Sequence, residues 1–192
     1  MRQATVERNT KETTIRVDLT LDLAERGTIE TGVGFFDHML DLMAFHGGFK
    51  LSVKCEGDLY IDDHHTVEDV GLALGQAFRE ALGDKLGLRR YGMALIPMDE
   101  SLARVVVDVS MRPLLVYHAA LTRKRVGTMD TQNVREFLRA FSQNAAITLH
   151  AEVLYGENAH HQVEALFKAL GRALADASAV ISTVLPSTKG VL

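Results

Sequence analysis

Asp62-Asp63-His64-His65-Thr66-Val67-Glu68-Asp69 is answered near the other end of the chain by Asn158-Ala159-His160-His161-Gln162-Val163-Glu164. When residues 64–78 are set against residues 160–174, eight of fifteen positions agree at a constant offset of 96: His, His, Val, Glu, Ala, Leu, Gly and Ala. Agreement of that density, held in register, marks a duplicated unit with one histidine-rich helix in each copy.

The residues after each histidine pair recur at helical apolar spacing, so each pair opens a helix. Side chains three and four positions apart share a helix face, whereas adjacent ones diverge by about 100°. One histidine of each pair can therefore join Glu68 or Glu164 around a metal ion, and the other is aimed elsewhere. The two copies offer His64, His65, His160 and His161 with Glu68 and Glu164, a natural set for two ions. Each ion could take a His–Glu pair from one copy and the diverging histidine from the other. The alternative is a pair of solvated helix starts, which the recurrence in register argues against.

Composition narrows the function classes. The 192 residues suit one domain or two small ones, and 47% hydrophobic content supports an ordinary core. A formal net charge of −4 argues against a nucleic-acid partner, whose footprint would be basic. The single cysteine, Cys55, fits a reducing cytoplasm. The first residues lack the apolar stretch of a secretory signal, and no apolar run approaches the roughly 20 residues of a membrane span. The expectation is a cytoplasmic protein with no membrane partner.

In chain order, alternating polar and apolar residues predict strands at 2–8 and 13–21, with Glu12 on the turn between them. A helix carrying His38 opens at Gly32-Val33-Gly34 and stops near His46-Gly47-Gly48. A strand at 49–55 and the first His-His helix, to about Leu82, complete the half. The second half repeats the order: strands at 92–97 and 102–110, a further strand at 114–118, a basic loop at Arg123-Lys124-Arg125, a helix at 131–145, a strand at 147–154, and the second His-His helix to about Ser182. The predicted class is α+β, from tandem duplicated β-β-α-β-α units packed as one sandwich. The expected organisation is a single domain over 1–192, with pseudo-repeats at about 1–90 and 91–192.

The repeat points to a further ligand in each half. His38-Met-Leu-Asp-Leu-Met aligns with Glu136-Phe-Leu-Arg-Ala-Phe at an offset of 98, the two-residue difference falling in the intervening strand and turn. Each ion then gains one outlying ligand, His38 or Glu136. His46, His118 and His150 have no repeat partner and read as structural or supporting. Imidazole with carboxylate suits zinc, iron, manganese or nickel.

Several ordered motifs resemble imidazoleglycerol-phosphate dehydratases of histidine biosynthesis. They are Gly34-Phe35-Phe36-Asp37-His38-Met39-Leu40, Asp63-His64-His65-Thr66-Val67-Glu68-Asp69, His160-His161-Gln162-Val163-Glu164-Ala165-Leu166-Phe167-Lys168-Ala169 and Pro186-Ser187-Thr188-Lys189-Gly190-Val191-Leu192. The resemblance runs from about Arg8 to the C-terminus. It implies a duplicated fold like the second domain of ribosomal protein S5, two manganese ions per site, and an octahedral homo-oligomer of twenty-four chains with sites between chains. It implies metal ligation by His38, His64, His65, Glu68, His160, His161 and Glu164, while Glu136 stands where many relatives have histidine. It assigns substrate contact to Glu12 and His38, and phosphate binding to Arg90, Arg112, Ser187 and Lys189. The implied hydro-lyase reaction removes water from D-erythro-imidazole glycerol phosphate to give imidazole acetol phosphate. Glu12, Glu68 or Glu164 would serve as general base.

Two other readings use similar residues. A two-metal phosphatase would need the Asp-rich ligand sets that are missing here. A metal-storage shell would have no use for the Pro186-Ser187-Thr188-Lys189-Gly190 tail.

Overall fold

The computed structural model describes residues 1–190, so Val191 and Leu192 of the tail motif lie outside the described residues. The first half contains β1 (Gln3–Asn9), β2 (Thr13–Thr20), β3 (Ile29–Glu30), α1 (Gly34–Gly47), β4 (Lys50–Gly57) and α2 (His64–Leu82). The second contains β5 (Tyr91–Met98), β6 (Ser101–Asp108), β7 (Leu114–His118), the hairpin β8 (Arg125–Val126) and β9 (Met129–Asp130), α3 (Gln132–Ala145), β10 (Thr148–Tyr155) and α4 (Ala159–Ser178).

The strand orders are β1-β2-β4-β3 and β5-β6-β10-β7, the same order twice. In each sheet three strands are antiparallel, and the short outer strand runs parallel to its neighbour. The unit is thus β-β-β-α-β-α: β7 is the further strand expected at 114–118, and β3, its counterpart in the first half, is the one the sequence does not suggest. Residues 29–30 are too few to show an alternation, which is why that strand escapes a period-two reading. The second His-His helix also ends at Ser178, four residues before the expected stop near Ser182. There the chain turns extended at Ala179 and is recruited by the segment before β5. Arg89 N–H donates to Ala179 C=O at 2.7 Å, and Ile181 N–H to Gly87 C=O at 2.8 Å.

Each sheet buries one face, as in the alternating burial of β2. The helices cover that face, α2 against β1 and β2, α4 against β5 and β6. Helices from opposite halves then pair, α1 with α4 and α2 with α3, so the four helices lie between the two sheets. Phe137 ties the layer together, stacking on Phe167 at 5.3 Å and meeting Phe36 edge-on at the same distance. Burying aromatic side chains of this size contributes roughly 1.5–3 kcal/mol each. The crossing of halves matters for function, because it sets residues from one repeat beside those of the other.

Candidate active site

Equivalent turns open the two His-His helices. The Asp62 carboxylate accepts from His64 N–H at 2.8 Å, and the Asn158 side-chain oxygen from His160 N–H at 2.9 Å. These positions are 96 apart, the offset of the helices themselves. Short polar side chains hold free N–H groups at a helix start, which fixes where the imidazoles leave the backbone. α2 is anchored further by Asp69, which is buried and accepts from Thr13 Oγ1 at 2.5 Å and Arg8 Nη2 at 3.1 Å.

At the α1–α4 crossing, His38 Nε2 stands 3.7 Å and His160 Nε2 3.1 Å from Glu164 Oε2. All three groups offer ligand atoms within 4.8 Å of one another. Donors bound at about 2.0–2.2 Å to one first-row cation stand roughly 3–4 Å apart, so this cluster fits such an ion. The other Glu164 oxygen, Oε1, accepts from Lys168 Nζ at 2.6 Å. Burial by itself would raise the Glu164 carboxyl, but the bonds from Lys168 and His160 bring it below its ordinary value. Phe35 meets the His160 ring edge-on at 5.1 Å and holds its orientation.

The α2–α3 crossing repeats the plan with different chemistry. His64 Nε2 lies 3.4 Å from Glu68 Oε2. Its Nδ1 lies 3.2 Å from the Asn133 side-chain oxygen, so the buried Asn133 takes the place that Phe35 has at the other crossing. With Nδ1–H donating to that oxygen, Nε2 keeps its lone pair for a cation. Glu136, the repeat partner of His38, is tied to Glu68 through Arg139, whose Nη2 is 2.7 Å from each carboxylate.

The diverging histidines do not reach either cluster within the chain. His65 Nδ1 donates to the Asp58 carboxylate at 3.0 Å, and its Nε2 is 3.9 Å from Glu12 Oε1. His161 Nδ1 donates to Glu100 Oε2 at 2.7 Å, and its Nε2 is 3.8 Å from Asp99. Both imidazoles are raised above their ordinary pKa, His65 by its bond to Asp58 and His161 by its bond to Glu100. Glu100 is held well below the usual carboxylate range by the His161 bond and by the Asn158 N–H. An imidazole whose Nδ1–H is bound to a carboxylate presents Nε2 as a ligand atom.

Sequence reasoning missed Asp58 and Glu100. The strands β1 and β2 repeat as β5 and β6 at an offset of 88, which pairs Glu12 with Glu100, but only the offsets 96 and 98 are visible in the helices. Asp58 has no such signal. It sits in a connection two residues longer in the first half, which lets it replace Glu12 as the partner of His65. Arg139, Lys168 and Asn133 were missed as ordinary helix residues.

The four residues expected to bind phosphate come together. Arg90, Arg112, Ser187 and Lys189 line one cleft of about 350 Å³ with Tyr91, Ser110 and Thr188. Arg90 takes a positive φ of 74° and donates to the Asp108 carboxylate at 2.8 Å and to Pro186 C=O at 2.8 Å, which anchors the tail. Arg112 is more exposed, its Nη2 3.7 Å from Asp108. No residue of this cleft belongs to either histidine cluster. Of the unpaired histidines, His46 is lowered by burial and by Lys168 and Arg172. His150 lines a shallow cleft with Met93, Arg104, Val106 and Glu152 on the outer face of the second sheet.

Fold and clusters together define a duplicated α+β enzyme with imidazole and carboxylate groups facing each other across its helix crossings. Known proteins make the class specific. The family model for imidazoleglycerol-phosphate dehydratase matches residues 31–174. The imidazoleglycerol-phosphate dehydratase of Clostridioides difficile is 54% identical over 192 residues, with all of both chains covered, and that of an Exiguobacterium strain is 56% identical over 99% of this chain and 98% of its own. Among solved structures, the Staphylococcus aureus enzyme superposes with a TM-score of 0.84 at 43% identity, covering 94% of this chain and 99% of that one. The Pyrococcus furiosus enzyme gives 0.86 at 38%, covering 97% and 100%. The chain belongs to the imidazoleglycerol-phosphate dehydratase family, and it is a hydro-lyase. Among the described residues no helix is long and apolar enough to cross a membrane.

Proposed function

We propose that the chain dehydrates D-erythro-imidazole glycerol phosphate to imidazole acetol phosphate and water, in L-histidine biosynthesis, with two manganese ions per site. The observation that carries the reading is the paired arrangement at the crossings: His38 with His160 and Glu164, and His64 with Glu68, which Arg139 ties to Glu136. Bound manganese would supply Lewis acidity and a template for the substrate imidazole.

The chain's own groups supply the rest. The substrate loses a proton from one carbinol carbon and the hydroxyl from the neighbouring carbon joined to the imidazole; these leave as water, and the enol becomes the ketone. A carboxylate must take the carbon-bound proton. Glu68 is engaged by Arg139 and Glu164 by Lys168, whereas Glu12 stands half-exposed on a turn beside His65. Glu12 therefore carries the base role, and Glu68 and Glu164 hold position. Arg90, Arg112, Ser187 and Lys189 grip the phosphate, and this remote binding energy aligns the reacting carbons.

Sites between chains in an octahedral assembly of twenty-four copies complete the reading. It is supported by His65 and His161, which stand apart from both clusters within the chain with Nδ1 bound to a carboxylate, and by a cleft expected to bind phosphate that shares no residue with the clusters. Exposed Tyr60, Ile61, Met93 and Leu95 provide apolar surface for self-association. The buried Cys55 suits a cytoplasmic enzyme. The test is ketone formation from the substrate by metal-stripped protein before and after adding Mn(II). Activity restored by the ion supports the reading; full activity in exhaustively stripped protein overturns it.

A further inference from the structure

The two crossings differ at the outlying ligand. In the first cluster Lys168 binds Glu164 through Oε1, which leaves Oε2 facing both imidazoles. In the second, Arg139 donates to Glu68 Oε1 and holds Glu136 Oε2 through both Nε, at 2.9 Å, and Nη2, at 2.7 Å. One guanidinium thus spans the two carboxylates. Among the described residues, His38, His160 and Glu164 draw within 4.8 Å of one another, and His64, Glu68 and Glu136 are not drawn together to that degree. The repeat partner of Arg139, at the offset of 98, is Asp41, which points its carboxylate toward Arg26 at 3.8 Å. The first cluster thus has Lys168 on Glu164 Oε1 where the second has a guanidinium spanning two carboxylates.

Charge explains why an arginine stands there. With neutral imidazoles and without a metal, His38, His160, Glu164 and Lys168 sum to zero. In the second cluster Glu136 replaces His38 and Leu72 stands where the first has Lys168, so His64, Glu68 and Glu136 carry two negative charges, and carboxylates side by side repel unless a cation lies between them. A forked guanidinium satisfies that need, and it holds Glu136 Oε2 twice, while Glu68 Oε2 still faces His64.

We propose that Arg139 is a built-in counter-ion of the second cluster that competes with the incoming metal. The His38–His160–Glu164 cluster fills first, and the second fills only as Arg139 releases Glu136. The proposal rests on the reading that both clusters bind metal. Arg139 is 41% exposed, so its side chain can swing to solvent without opening the core.

The test is titration of metal-stripped full-length protein with Mn(II), following free ion by electron paramagnetic resonance. The wild-type chain is expected to show two classes of site, one ion each. Arg139→Met should tighten the weaker class about tenfold, the sum of two exposed ion pairs lost by the competitor, and leave the tighter class unchanged. Arg139→Lys, which keeps the charge and loses the fork, should fall between. A weaker second class in Arg139→Met would overturn the proposal, because it would make Arg139 a support that orients Glu136 for the ion. Two equal classes in the wild-type chain would also overturn it. Absence of any bound Mn(II) would instead remove the metal reading itself, and the proposal with it.

Discussion

Gly75 and Gly171 are repeat partners that make the same close approach at the two helix crossings. A side chain on Gly75 would run into Phe141 C=O and Ala145 N–H on α3; one on Gly171 would run into Met43 C=O and Gly47 N–H on α1. Met43 and Phe141 are 98 apart, as are Gly47 and Ala145, and so are His38 and Glu136. The glycines therefore set how near the helix bearing the His–Glu pair comes to the helix bearing the outlying group.

Either Gly75→Ala or Gly171→Ala should cost about 1–3 kcal/mol, because a methyl group there meets backbone and cannot be accommodated by a rotamer change. Thermal unfolding measures this. Gly171→Ala should also lower affinity for Mn(II) at the His38 cluster more than at the other, and Gly75→Ala the reverse. Unchanged melting temperatures would show that the crossings adjust freely.

The duplication, the helix carrying each His–Glu pair, and the pairing of His38 with Glu136 were legible in sequence because helices keep constant offsets. The resemblance to the dehydratases pointed to Arg90, Arg112, Ser187 and Lys189, which composition alone would leave as ordinary surface and which line one cleft. What stayed hidden depends on the third dimension. That α1 packs on α4 and α2 on α3, across the halves, leaves no trace in periodicity. Glu100 was hidden because its strands repeat at 88, not 96, and Asp58 because it lies in the longer loop. Arg139 carries no signal in the sequence, because its role depends on Glu68 and Glu136 lying on either side of it across two helices.

Lys189→Ala should raise KM for the phosphorylated substrate and lower kcat modestly, with metal content unchanged. Lys189 lines the cleft with Arg90 and Arg112, and a grip on the remote phosphate contributes to both binding and alignment. Steady-state kinetics with metal analysis check this. If the variant binds phosphate-bearing analogues as tightly as the parent, the cleft is not the phosphate site.

Cys55 should be unreactive in the folded protein. Burial, then the nearby Asp69 charge, pushes its thiol up to about 11. At about pH 8 the thiolate fraction is on the order of a thousandth, and the side chain is enclosed as well. The folded value lies above the unfolded one of 9.0, so the buried neutral thiol contributes stability below about pH 9 that is lost as pH rises toward 11. Aromatic-disulfide labelling at about pH 8 should proceed only with denaturant. Rapid labelling of the native protein would contradict the burial.

The most direct test of paired metal clusters is the manganese content per chain after loading and gel filtration, for the wild-type protein, Glu164→Gln and Glu68→Gln. Each amide keeps the shape of the carboxylate it replaces and removes one anionic ligand from one crossing. We expect about two ions per chain in the wild type and about one in each variant, with the His38 cluster emptied in Glu164→Gln and the His64 cluster in Glu68→Gln. Unchanged manganese content in both variants would contradict the account at its centre.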